Sequence, residues 1–559
     1  MRHKTYQYLN VLVYTILMDA QQASREPEAQ PVSREVRPEA GAPPQKLVFG
    51  QRPRKGRPDS AGKPKPKLKP IHRSQLMMKV VDLESWVEPN HPARAIWDLM
   101  GRMDLSGFYD KIRSRQGEKG REANSPRLLA SVWVYAYSKG ISSAREIERQ
   151  MEHEPGLMWL CGMAKVNHHT LSDFRVNHKE ELDGLFQQLL AVLDEGGFVD
   201  LSRVMHDGTK VRSYAGVDTF RREKTIRERL EEARQVVEQM GDPREDGDGG
   251  NRRQRAARER ASRERAEKLE AALKTLETIQ EEQKKPEAAA EARVSVTEPE
   301  ARKMKHGDQA IAPSYNMQVS TESSNKVIVG MHLSTCSADA PSLPKAVEVI
   351  EENTGRLPEQ LVVDGGFTSK ENILMADERQ IDLIGSLGDV EKKRAGAAKA
   401  AGMDAAFGVD FFIFQTETNT LECPAGKQLH YTGANTKREN RYHRYQAQGS
   451  DCQACEHQKR CCPREPERGR RVARLVEEHP QVAEFRKKME TEEAQQIYKQ
   501  RGEVAEFPNA WIKDKIGLRK FRLRGLLKAE TEGLWACLAY NAKQWIRLAW
   551  KPRAAVSMA

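Results

Sequence analysis

Two short apolar runs in this chain end in the same way, and that repetition limits the possible folds more than any other feature. Leu361, Val362 and Val363 suit a buried strand, Asp364 follows, and Gly365-Gly366 let the chain turn away. Val204 and Met205 lead in the same manner to Asp207 and Gly208. Between them "YNMQVST" (315–321) alternates, "ESSN" turns and "KVIVGMHL" (326–333) returns, a hairpin pattern. A helix from Pro341 to about Asn353 and a further short strand in "IDLIG" (381–385) complete the set. Two acids at strand ends, with strands between them, predict one mixed sheet that presents both carboxylates at one edge.

Carboxylates placed that close repel unless a cation lies between them. Mg²⁺, or Mn²⁺, suits such a site because it prefers oxygen ligands and leaves positions open for phosphate. Two ions about 3.5–4 Å apart can activate an attacking hydroxyl and stabilise a leaving oxygen of a phosphodiester. A third acid is sought in "YKQRGEVAEFPNAWIKDK", where Tyr498, Arg501, Glu506 and Lys513 recur at roughly helical intervals. Glu503 is an alternative, and Pro508 sits awkwardly inside the implied helix.

The rest of the chain divides around this core. With 559 residues it is too long for one core. Residues 1–75 read as a disordered basic arm, with nine Lys or Arg against Asp59 alone between Arg52 and Arg73. The apolar run at 8–18 lacks a small-residue cleavage site and does not read as a signal peptide. Residues 76–195 form a helical domain: "PRLLASVWVYAYSKG" opens at Pro126 and closes at Gly140, Ser142 or Ser143 caps the next helix, and Thr170 caps a third. The α/β core occupies 196–218 and 301–390. Its interruption, 219–300, carries Ile226, Leu230, Ala233, Val237 and Met240, then Leu269, Leu273, Leu276 and Ile279, the spacing of an antiparallel coiled-coil hairpin. Residues 391–470 form an irregular cysteine-bearing insertion, 471–550 a helical segment carrying the third acid, and 551–559 a tail.

At this point the sequence resembles the DDE transposases of bacterial insertion sequences, in the branch with an RNase H-like core. The likeness runs from about Val80 to Leu548 through "VEPNHPAR", "HHTLSDFR", "HDGTKV", "PEARKMK", "YNMQV", "VVDGGFTSKENI" and "LRKFRLRGL". It implies an RNase H-like α/β core, a mixed sheet flanked by helices, with an N-terminal all-α DNA-binding domain and two insertions. It implies Asp207, Asp364 and Glu506 as catalytic carboxylates and ligands of two Mg²⁺ ions. Tyr498, Arg501 and Lys513 resemble the family's Y-R-E-K signature, which sets Arg and Lys near DNA phosphates, and Arg519, Lys520, Arg522 and Arg524 join them as backbone contacts. The implied reaction is cleavage at transposon ends followed by strand transfer into target DNA. Asn509 and Ala510 stand where the family shows an aromatic-Gly pair, which leaves room for a catalytically inactive DNA-binding derivative; a metal nuclease that cuts without joining is a separate rival reading.

Five cysteines crowd into 423–462. Cys423, Cys452, Cys455 and Cys461 form a candidate structural zinc site, with Cys462, His430 or His457 as possible substitutes and reduced packing thiols as the alternative. A net charge of +11 points to a polyanionic partner, here DNA at terminal inverted repeats and targets. Synapsis of two ends implies at least a homodimer. No apolar run approaches the ~20 residues of a membrane helix; Cys161, Cys336 and Cys537 are scattered in apolar settings and read as reduced, so a cytoplasmic, nucleoid-associated protein is expected.

Overall fold

The computed structural model describes residues 82–552, apart from 115–121, 241–251, 284–285, most of 388–401, 438–439 and 478. The expected basic arm over 1–75, the apolar run at 8–18 and most of the tail lie outside the described residues.

The chain begins with helices α1 (Pro92–Met100), α2 (Ser106–Asp110), α3 (Pro126–Ser138), α4 (Ala144–Gln150), α5 (Pro155–Leu160), α6 (His168–Val176) and α7 (Lys179–Glu195). Local chemistry places their ends. Pro opens α1, α3 and α5, where its missing N–H costs nothing. The Ser143 hydroxyl accepts from the Glu146 amide to start α4. Asn167, not Thr170, caps α6, accepting from His169 N at 2.8 Å. The stretch "SSAREIERQMEHEPGLMWLCG" holds two helices, because Pro155 forces a restart and the Glu154 carboxylate caps it through Leu157 N at 2.7 Å.

These helices do not bury their apolar faces alone. They enclose α17 (Leu526–Leu548), the last helix of the chain. Trp133, Tyr137 and Trp535 are fully buried together, Tyr137 and Trp535 stacking with ring centres 6.5 Å apart. Arg175 of "HHTLSDFR" is buried in the same place, over the Trp133 ring and bonded to Ser142 O at 2.7 Å, so it serves the core and not a solvated face.

The central sheet contains β1 (Arg203–Arg212), β4 (Arg302–Lys305), β5 (Ile311–Glu322), β6 (Ile328–Ser334), β7 (Gln360–Val363) and β8 (Asp382–Gly385). Strand order is β4-β5-β1-β7-β8, with β6 also pairing with β5. β1 runs antiparallel to β5 and parallel to β7, which is parallel to β8. The right side of the sheet therefore needs crossovers, and α11 (Leu343–Thr354) and α12 (Lys370–Glu378) supply them. β1 is longer than the sequence pattern indicates. It continues through Gly208 to Arg212, because β5 pairs with it over its whole length. Asp207 thus lies within a strand and not at its end.

Between β1 and β4 the chain leaves the sheet through β2 (Phe220–Arg221), α8 (Glu223–Met240), α9 (Arg252–Glu282), α10 (Pro286–Ala290) and β3 (Val294–Ser295). β2 and β3 pair antiparallel and clasp the base of the insertion. Ile226, Leu230, Ala233, Leu269, Ala272, Leu276 and Val294 form its own apolar seam, as the heptad-like spacing requires.

The cysteine-bearing stretch is not irregular. β9 (Ile413–Gln415), β10 (Thr420–Glu422), β11 (Gln428–Lys437), β12 (Asn440–Ala447) and β13 (Arg471–Glu477) form an antiparallel sheet in the order β13-β12-β11-β10-β9. Phe412, Leu421, Leu429, Tyr445, Ala447 and Val472 make its small core. Most remaining strand positions are polar, so "HYTGANTK" and "RENRYHRY" carry little alternation to read. After α13 (Gly449–Gln453) and α14 (Gln458–Cys461) within this region, α15 (Pro480–Met489) and α16 (Glu492–Asp514) return to the central sheet. No described helix is long and apolar enough to cross a membrane.

Candidate active site

Parallel pairing of β1 with β7 aligns His206 with Val363, so the next residues, Asp207 and Asp364, stand side by side. Each carboxylate accepts from the amide of the glycine after it: Gly208 N to Asp207 Oδ1 at 3.0 Å and Gly365 N to Asp364 Oδ1 at 2.7 Å. A larger residue at Gly208 would have to displace neighbouring side chains. A Cβ there would lie 2.6 Å from Gln318 Nε2 and 2.9 Å from Asp339 Oδ1.

α16 covers the pair. Its apolar face, Ala494, Ile497, Val504 and Ala505, packs on Met205, Val362 and Ile384 of three neighbouring strands. The two alanines allow a close approach, which brings the adjoining polar positions down to the acids. Tyr498 Oη donates to Asp364 Oδ1 at 3.4 Å. Asn509 Nδ2 donates to Asp207 Oδ2 at 3.3 Å. Arg501 lies between them, Nη1 3.8 Å from Asp207 Oδ1 and Nη2 3.8 Å from Asp364 Oδ1. The mid-helix Pro508 is buried and tolerated.

Electrostatics follow from this enclosure. Burial pushes Asp207 up to about 6, against the opposing pull of Arg501 and with a further upward push from Asp364. Burial lowers Lys513, as does nearby Arg519, while Asp207 works the other way. The Tyr498 phenol is raised by burial and then by Asp364.

The expected third acid stands apart from the pair. Glu506 is exposed and lies back along α16, where a Cβ on Gly502 would meet its Oε1 at 3.6 Å. Glu503, the alternative, pairs with Lys326 at 3.2 Å on the β5–β6 turn. Among the described residues no three His, Cys, Asp or Glu side chains are grouped to hold a metal ion. Asn509, which looked like a departure from the family's pattern, contacts Asp207 instead; its place on the Tyr498–Arg501 face was the available signal.

The basic segment follows α16. Arg519, Lys520, Arg522 and Arg524 are exposed. The segment is tied to the end of β1, Phe521 N donating to Arg212 O at 2.8 Å. Two buried carboxylates hold its backbone. Glu532 Oε2 accepts from Arg522 N and Leu523 N at 2.8 and 3.0 Å, and Glu298 Oε1 accepts from Gly525 N at 3.0 Å. Glu298 immediately precedes "PEARKMK" and Glu532 lies in α17; sequence reasoning assigned neither.

In the second sheet Cys423, Cys452, Cys455, Cys461, Cys462 and His457 line one small cavity. Lys427 N donates to Cys423 Sγ and Arg470 N to Cys452 Sγ, each at 3.3 Å. Burial pushes the Cys461 thiol up to about 11 and raises Cys462.

Two family models match the chain. Residues 422–546, which include the cysteines, α16 and the basic segment, match the Transposase DDE domain, and residues 81–177 match the Transposase domain (DUF772). No curated protein and no solved structure matches it. One transposase match covers the N-terminal helices and the other the helix that closes over the paired acids, and together they indicate an insertion-sequence DDE transposase.

Proposed function

We propose that the protein cleaves DNA at transposon ends and joins the freed 3′-hydroxyl to target DNA, on an RNase H-like core that uses Asp207, Asp364 and Glu506. The observation that carries this reading is the placement of Asp207 and Asp364 side by side on neighbouring parallel strands, beneath Arg501. Two hard carboxylates side by side on neighbouring strands fit Mg²⁺ or Mn²⁺ in donor chemistry, and Glu506 would turn in from its exposed place on α16 to complete the set. When bound, the divalent pair supplies activation of the attacking hydroxyl and stabilisation of the leaving oxygen. The protein's own groups orient and balance charge. Tyr498 and Asn509 fix the carboxylates from above, Arg501 offsets their repulsion, and Lys513 with Arg519, Lys520, Arg522 and Arg524 holds DNA phosphates. Two ends brought together require at least a dimer on nucleoid DNA.

We also propose that Cys423, Cys452, Cys455 and Cys461 hold a structural Zn²⁺ when their side chains close on the cavity they line. The amide-to-sulfur contacts of Cys423 and Cys452 support this.

A second reading, a DNA-binding derivative that has lost its chemistry, is favoured by the exposed position of Glu506 outside the acid pair. Supplying Mg²⁺ and DNA that carries the flanking inverted repeats separates the readings. An active transposase cuts and joins, and Asp364→Asn does neither. Binding without any cutting by the wild type supports the inactive derivative, and cutting without joining supports a nuclease.

A further inference from the structure

The helical insertion and the catalytic segment meet along a groove of ≈ 370 Å³ lined by Arg229 of α8, Arg265 and Lys268 of α9, Thr297 beyond β3, and Arg524 of the basic segment. Glu264 is the acid in that lining. Arg265, Lys268 and Arg524 are exposed, and Arg524 stacks on the Tyr214 ring at 4.3 Å. Four cations held around one channel repel one another, and the seam beneath them gives no reason for their clustering, since it is apolar.

The charge continues along α9. Glu223 meets Gln280 and Arg234 meets Glu270 across the hairpin, so Met240 at the end of α8 falls opposite residue 263 or 264. α9 begins at Arg252. It therefore extends about 12 residues, roughly 18 Å, past the end of α8. From Arg258 to Lys268 the sequence has five Lys or Arg (258, 260, 263, 265 and 268) against Glu259, Glu264 and Glu267.

We propose that this groove and the basic stretch of α9 leading from it form a second DNA-backbone track, continuous with the catalytic segment through Arg524. It would hold duplex outside the bond being cut. A sugar-phosphate backbone fits because the lining sets separated point charges and a hydroxyl around a floor of Ala261, Leu269 and Val296. Tyr214, exposed and stacked under Arg524, adds an aromatic face at the junction. This proposal rests on DNA being the substrate, but it does not depend on the acids being active.

The test is binding of a random-sequence duplex by the full chain across a KCl series. The wild type is compared with Arg265→Gln/Lys268→Gln and with a control, Lys224→Gln/Lys274→Gln, which removes the same charge from exposed hairpin positions outside the groove. Thermal melts confirm that each variant folds. Loss of two phosphate contacts makes the slope of log K against log salt shallower by about 1.8, at roughly 0.9 per contact. The control keeps the wild-type slope. An unchanged slope in the groove variant overturns the track and leaves the transposase reading standing. An equal loss in the control also overturns it, because bulk charge then explains the effect. Failure of the wild type to bind any duplex overturns both.

Discussion

Asn509 reaches back 302 residues to donate its side-chain amide to Asp207 Oδ2 at 3.3 Å. α16 positions this contact by setting Ala505 one turn earlier against the sheet. Replacing Asn509 by Ala removes a hydrogen bond to a charged acceptor, worth about 1.5–3 kcal/mol. End cleavage by Asn509→Ala is expected to fall by roughly 10- to 100-fold, with duplex affinity unchanged. A parallel loss of affinity in a filter-binding assay would show that Asn509 holds DNA and not the carboxylate.

Asp207 should make the fold less stable as pH rises. Its folded pKa, about 6, lies above its ordinary 3.8, so the folded protein binds the extra proton between those values. Stability therefore declines from about pH 4 to pH 6 and stays reduced above that, by about 3 kcal/mol at most. Asp207→Asn should unfold at higher urea than the wild type at pH 7.5 and near the wild-type midpoint at pH 4, both without divalent ions. A variant that is weaker than the wild type at pH 7.5 contradicts the raised pKa.

Glu298 is fully buried and accepts from Gly525 N, Tyr315 Oη and Ala215 N. Glu298→Ala orphans these donors, at about 1–3 kcal/mol each. We expect a drop in thermal midpoint and increased hydrogen exchange across 517–525, with Glu298→Gln closer to the wild type. Exchange protection that is unaltered in both variants would separate Glu298 from the basic segment.

The thiol cluster predicts one zinc per chain. Plasma mass spectrometry of protein purified without chelator should find it, and Cys452→Ser/Cys455→Ser should lose it, with exchange rising over β9–β13. Absence of zinc from the wild type would return these cysteines to packing.

How much of this was readable in advance follows from what each residue's neighbours are. The β5–β6 hairpin and the α8–α9 seam were legible because their periodicities are local. β1 was read too short because Gly208 and Thr209 look like a turn, whereas pairing with β5, more than a hundred residues later, keeps them extended. The β9–β13 sheet was missed because its strands are polar on most positions and buried mainly at Leu421, Leu429, Tyr445 and Val472. The Asp207–Asp364 pairing was inferred from repetition alone. The roles of Glu298, Glu532 and Asn509 depend on contacts across 227, 9–10 and 302 residues, and no spacing rule reports the longest of them.

Divalent-ion binding tests the central claim most directly, because it needs no DNA sequence. Titration of Mn²⁺, followed by the loss of the free-ion paramagnetic resonance signal, should show saturable binding to the wild type. Asp207→Asn and Asp364→Asn should abolish it and Glu506→Gln should weaken it. Equal Mn²⁺ uptake by the wild type and both aspartate variants would mean that the paired carboxylates are not a metal centre.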